Sequence, residues 1–134
     1  DSVEMFYGTQ VLWPDHCIQG SMGASFNPSL NLESADIIIR KGSNPAVDSY
    51  SAFFENDKVT PTGLHGYLKN RKVTDLTLVG LATDFCVAFS ALDAANLGYS
   101  VTVQLDLARG IDTDGSLNAA IDKMSKAGVN LENG

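Results

Sequence analysis

The order of apolar segments along this chain predicts an α/β domain built on a parallel sheet. Two observations carry that expectation. Short apolar runs of strand length recur at Ala35 to Arg40, Asp75 to Leu81 and Ser100 to Leu107. Between and after the later runs lie stretches of helical period, each closed by a glycine just before the next run.

The elements follow in order. The first thirty-odd residues are rich in Gly, Ser, Asn and Pro, among them Gly8, Pro14, Gly20, Gly23, Asn27 and Pro28, and read as a long loop or a set of short turns. No strand is expected before Trp13. Ala35 to Arg40 (ADIIIR) and Asp75 to Leu81 (DLTLVGL) read as strands buried on both faces. Thr83 is placed to cap a helix running to about Asn96, with Val87, Leu92 and Ala95 on or near its apolar face and Gly98 as its stop. Ser100 to Leu107 is the next strand, a helix follows from Thr113 or Asp114 to Ala127, Gly128 ends it, and Val129 to Leu131 begins a last strand.

Length and composition narrow the function. The 134 residues suit one domain, and 44% hydrophobic with 19% charged residues is an ordinary globular balance. Sixteen acidic against nine basic residues give a formal charge of −7, and the densest basic stretch is only Lys69, Arg71 and Lys72. Such a surface repels phosphate backbones, so nucleic acid is not an expected partner. No apolar run approaches membrane-spanning length, and no leader pattern opens the chain. The two cysteines, Cys17 and Cys86, are expected as free thiols in a reducing cytoplasm, since a core of this size needs no staple. His65, after Pro61, reads as a surface histidine.

The turn Gly80-Leu81-Ala82-Thr83-Asp84-Phe85-Cys86-Val87 holds the most chemical information. A strand ends near Leu81 and a helix starts near Thr83, so Cys86 falls in the first helical turn. Backbone N–H groups there lack intrahelical partners, and the positive end of the helix favours an anion. That is a setting for a nucleophilic sulfur and for an oxyanion formed during attack on a carbonyl. By position alone, Cys86 is equally well a small apolar residue packed behind the sheet.

Three motifs in one order decide between these readings. Trp13-Pro14-Asp15-His16-Cys17, then Arg40-Lys41-Gly42, then Gly80 to Val87, together resemble the nicotinamidase/pyrazinamidase branch of the isochorismatase-like hydrolases, and Asp48-Ser49-Tyr50-Ser51-Ala52-Phe53 matches a further stretch of that branch. The resemblance covers nearly the whole chain. It implies a parallel sheet with crossover helices on both faces, within a single domain over residues 1–134 that is incomplete at its N-terminus. Cys86 matches the nucleophile and Lys41 the catalytic lysine. The backbone N–H groups of Ala82 and Cys86 match the oxyanion hole, with a cis bond between Leu81 and Ala82. Trp13 and Tyr50 match aromatics flanking a pyridine carboxamide, and His16 matches one ligand of a divalent metal, zinc foremost, with iron or manganese as alternatives.

The same resemblance implies what these residues do not supply. The family's first strand bears a catalytic aspartate, and the loop after it bears an aspartate and two histidines for the metal. No Asp-x-His with a second downstream histidine occurs here. The missing segment is expected on a separate chain or outside the sequence in hand, because a lost central strand would expose sheet edges and an apolar face. A truncated relative without activity, another amidase or carbamoyl hydrolase of the superfamily, and a non-catalytic binding module stay open as alternatives. Oligomeric state is likewise open, a homo-oligomer included.

Overall fold

The computed structural model describes residues 1–134. Three strands, β3 (Asp75–Leu81), β4 (Ser100–Arg109) and β5 (Asn130–Glu132), form a parallel sheet in the order β3-β4-β5. A π-helical turn (Thr83–Val87) leads into helix α2 (Ala88–Asn96), which crosses from β3 to β4. Helix α3 (Ser116–Lys126) crosses from β4 to β5, and helix α1 (Leu64–Asn70) precedes β3. The α/β class predicted from the pattern is the one observed.

Burial is one-sided, and the topology says why. Residues Leu76 and Leu78 of β3 face the core opposite Val101 and Val103 of β4, while Val79 and Leu81 on the other face are 53% and 73% exposed. The two crossovers step the same way across the sheet, so right-handed connections put α2 and α3 on the same side, where they touch. Within this chain the expected second helical layer does not cover the opposite face, and β3 is not buried on both faces. Its outer edge has no strand partner.

The core gathers Phe53, Val87, Ala88, Ala91, Ala94, Val101, Val103, Ala120, Met124 and Val129. Alanines at three-residue spacing on α2 let that helix sit close to the sheet. The buried stripe is therefore Ala88, Ala91 and Ala94, with Leu92 and Ala95 at its margin. Leu64 and Leu68 of α1 pack against the same cluster. Gly98 and Gly128, at φ 91° and 81°, end α2 and α3 in the left-handed conformation that suits glycine.

Several sequence expectations are corrected. Ala35 to Arg40 is not a strand: no backbone hydrogen bond reaches residues 37–40, and Ile37 and Ile38 are 38% and 47% exposed. Apolar character alone does not make a strand, because the ladder needs a neighbour. A hairpin unseen in the sequence, β1 (Ser2–Met5) with antiparallel β2 (Gly8–Val11), precedes Trp13. Helix α3 starts at Ser116 after left-handed Gly115, later than predicted, because Asp112 and Asp114 have φ of 56° and 52° and break the helical path. His65 is partly buried, its Nδ1 2.8 Å from the Tyr99 hydroxyl.

Met124 is fully buried between α3 and the sheet. Met124→Ala is expected to lower unfolding free energy by about 2–5 kcal/mol, read from denaturant melts. A loss below the range of surface substitutions would show that this core is not the stabilising one.

Candidate active site

The site lies at the C-terminal end of β3, where functional groups of open α/β sheets gather. The Leu81–Ala82 peptide is cis, as the resemblance implies. The chain then enters a π-type turn in which the Ala82 carbonyl accepts hydrogen bonds from both Phe85 N–H and Val87 N–H, each at 3.1 Å. Ala82 thus takes the capping position expected of Thr83, which is inside the turn and buried. Such wide turns recur at functional sites because they re-aim side chains without ending the helix. The Ala82 N–H donates to no group within the chain.

Cys86 is half-buried on this turn, and Lys41 Nζ lies 3.5 Å from its Sγ. The ammonium is held by a second bond, donated to the Ser49 carbonyl at 2.7 Å. Lys41 and Cys86 are forty-five positions apart, so the fold alone brings them together. Ser90 fixes the loop to the helix. Its hydroxyl donates to the Cys86 carbonyl at 2.6 Å and accepts the Ala52 N–H at 2.8 Å. A cation held this close is an electrostatic partner for a sulfur anion. Both residues line a cavity of about 370 Å³ that runs along β3 past Phe53, Leu76 and Leu78.

Asp84 anchors the turn from behind. Its carboxylate is 5% exposed and accepts the N–H groups of Ile111 and Asp112 at 3.0 and 2.8 Å, together with the Ser116 hydroxyl. Burial pushes its pKa up, but the hydrogen bonds from Ser116, Ile111 and Asp112 outweigh it and hold the carboxyl below its ordinary value. The loop after β4 is thereby tied to the loop after β3.

The aromatic residues form a cluster of their own. Trp13 Nε1 donates to the Tyr50 hydroxyl at 2.8 Å, and both rings meet Phe85 edge-on, with centroids 4.9 and 5.9 Å away. Trp13 and Tyr50 do not line the cavity beside Cys86; they reach the turn through Phe85, the residue before the sulfur.

His16 is exposed and joins neither group. Its Nδ1 lies 2.7 Å from the Pro14 carbonyl, which can only accept, so Nδ1 carries the proton and Nε2 presents a bare lone pair in the neutral ring. That is the state a metal-binding imidazole needs. One imidazole is not a centre, however, and no group of three or more His, Cys, Asp or Glu in this chain could hold an ion. The residues present do not fit a metal by themselves.

The sequence motifs pointed to Cys86, Lys41, Trp13, Tyr50, His16 and Ala82, of which the fold brings Cys86, Lys41 and Ala82 together, sets Trp13 and Tyr50 behind Phe85 and leaves His16 apart. They did not single out Phe85, Asp84, Ser49 or Ser90. An acidic residue in the first turn of a helix was the one available signal for Asp84.

With this geometry in place, comparison with known proteins is decisive for the family. The family profile described as Isochorismatase domain matches residues 4–133. The chain belongs to the isochorismatase family. It is 49% identical over 129 residues to a nicotinamidase of Acinetobacter baylyi, a match covering 96% of this chain and 60% of that protein. A solved nicotinamidase/pyrazinamidase of Acinetobacter baumanii superposes with a TM-score of 0.95 at 50% identity, covering 99% of this chain and 64% of the other. A pyrazinamidase of Pyrococcus horikoshii, solved in complex with zinc, superposes at 0.77 with 28% identity, covering 92% and 62%. The chain spans about 60% of the length of the curated relative it matches at 49% identity.

Two outcomes are expected of this site. Iodoacetamide should label Cys86 faster than Cys17, although Cys17 is the more exposed thiol, and Lys41→Ala should abolish the difference; peptide mass spectrometry reads both. Equal rates at the two thiols would show that the Lys41 contact does not activate the sulfur. Asp84→Asn should destabilise the fold by about 1–3 kcal/mol in thermal or chemical melts, because its amide cannot accept all three hydrogen bonds. Since folding lowers the Asp84 pKa, its contribution is complete above the ordinary carboxylate range and is lost as pH falls through the lowered value. The gap between Asp84→Asn and the parent should therefore narrow in acid, and a gap independent of pH would contradict the assignment.

Proposed function

We propose that this chain carries the nucleophile and its lysine partner in a nicotinamidase-type cysteine amidohydrolase. The contact between Lys41 Nζ and Cys86 Sγ at 3.5 Å is the observation that carries the reading. The names of the relatives support the substrate class, a small pyridine carboxamide such as nicotinamide or pyrazinamide.

The proposed chemistry assigns a part to each of Cys86, Lys41 and the Ala82 and Cys86 N–H groups. Cys86 Sγ attacks the carboxamide carbon, and the C=O electron pair moves onto oxygen. The free Ala82 N–H and the Cys86 N–H serve as donors to that oxyanion, beside the Lys41 cation. Collapse of the tetrahedral species breaks the C–N bond and leaves a thioester, the nitrogen departing as ammonia once protonated. Water then attacks the thioester carbon, releasing the acid and restoring the thiol. Trp13 and Tyr50, which reach the turn through Phe85 and do not line the cavity along β3, are assigned to the ring on the resemblance.

The group that shuttles the proton to nitrogen is an aspartate that this chain does not itself supply. We place it on a strand completing the open edge of β3, where the cavity along that edge is lined mostly by apolar residues. His16 would be one ligand of a divalent metal whose site these residues do not complete, and the two free cysteines suit a reducing cytoplasm.

The test is ammonia release from nicotinamide by the intact protein. Cys86→Ala should reduce kcat/KM by about three orders of magnitude or more, and a nicotinoyl adduct on Cys86 should be captured by mass spectrometry after acid quench. Undiminished turnover in Cys86→Ala, or turnover of N-carbamoyl amines in place of nicotinamide, would overturn the reading.

A further inference from the structure

Gln10 is the buried polar side chain of the β1–β2 hairpin, only 6% exposed, and its contacts reach thirty-eight to forty-six positions along the chain. The orientation of its amide follows from a series of bonds that starts at a main-chain donor. The Tyr50 N–H can only donate, so the Asn56 atom it meets at 3.0 Å is the carbonyl Oδ1. Asn56 Nδ2 is then the donor to Gln10 Oε1, at 3.0 Å. Gln10 Nε2 is left facing three acceptors with two N–H groups, the Asp48 carboxylate at 2.8 Å, the Val11 carbonyl at 2.9 Å and the Tyr50 hydroxyl at 3.1 Å, so one N–H is shared. Tyr7 closes the network. Its hydroxyl donates to Gln10 Oε1 at 3.2 Å and accepts the Asp48 N–H at 3.1 Å.

The Tyr50 oxygen accepts a full bond from Trp13 Nε1 at 2.8 Å and a longer, shared one from Gln10 Nε2 at 3.1 Å. The phenol cannot swing without breaking its bond from Trp13 and its shared contact with Gln10. The Trp13 indole is tied to the same atom, so its ring orientation follows that of Tyr50.

We propose that Gln10 is a positioning residue for substrate binding, setting the Trp13–Tyr50 aromatic wall through the Tyr50 hydroxyl. The proposal rests on the reading of that wall as the ring-binding surface for a heteroaromatic amide. It assigns to the hairpin, which lies outside the α/β core, a part in substrate affinity rather than in bond cleavage. Gln10 has no contact with Cys86 or Lys41, so the chemical step is left to them.

Trp13 is the only tryptophan, so its emission reports the wall with no substrate present. In the intact protein, Gln10→Met should raise KM for nicotinamide about 3- to 10-fold, the scale of one or two net hydrogen bonds, with kcat held within about twofold. Trp13 emission should shift to the red as the indole N–H turns to water. Tyr50→Phe removes only the hydroxyl and keeps the fold testable should Gln10→Met misfold; it should reproduce both effects. The double variant should be no worse than either single one, because both break the same link. Unchanged KM and emission in Tyr50→Phe, or additive losses in the double variant, would overturn the proposal while leaving the reaction standing. Red-shifted emission in both single variants of a protein that does not hydrolyse nicotinamide would uphold the positioning of the wall and sink the reaction instead.

Discussion

A buried carboxylate needs its hydrogen bonds supplied from within, and Asp84 draws them from a loop more than twenty-five positions away. That requirement fastens the loop after β4 to the turn after β3. The π-turn it braces carries Cys86 on one side and Phe85 beside it. Through Cys86 the turn meets Lys41; through Phe85 it meets Trp13 and Tyr50. Remove the anchor and both halves of the candidate site lose their common reference point.

The long irregular stretch between Leu12 and Gly63 is held to this frame by polar bonds as well as by Phe53 in the core. Ser90 grips Ala52 and the Cys86 carbonyl, Ser49 grips Lys41, and Gln10 joins the hairpin to Asp48, Tyr50 and Asn56. Side-chain hydrogen bonds suit such a task because they fix direction as well as distance. The apolar core beneath α2 and α3 supplies stability, and this network supplies the geometry.

The open edge of β3 and its apolar groove are where the proposed chemistry needs a further group. Lys41 and Cys86 sit at that groove, with Val79 and Leu81 exposed nearby.

What the residues alone determined was local. The limits of β3 were legible to the residue, since DLTLVGL is a strand-length apolar run, and Gly98 and Gly128 marked both helix ends. The family motifs named Cys86 and Lys41, but their meeting at 3.5 Å depends on the whole fold. Ala35 to Arg40 has the composition of a strand and is not one, because pairing depends on a neighbour that composition cannot show. Gln10 and Asp84 look like ordinary surface residues in the sequence and are buried in the structure. Periodicity reports which face of an element is apolar; only packing decides which polar groups are shut away from water and must find partners across the chain.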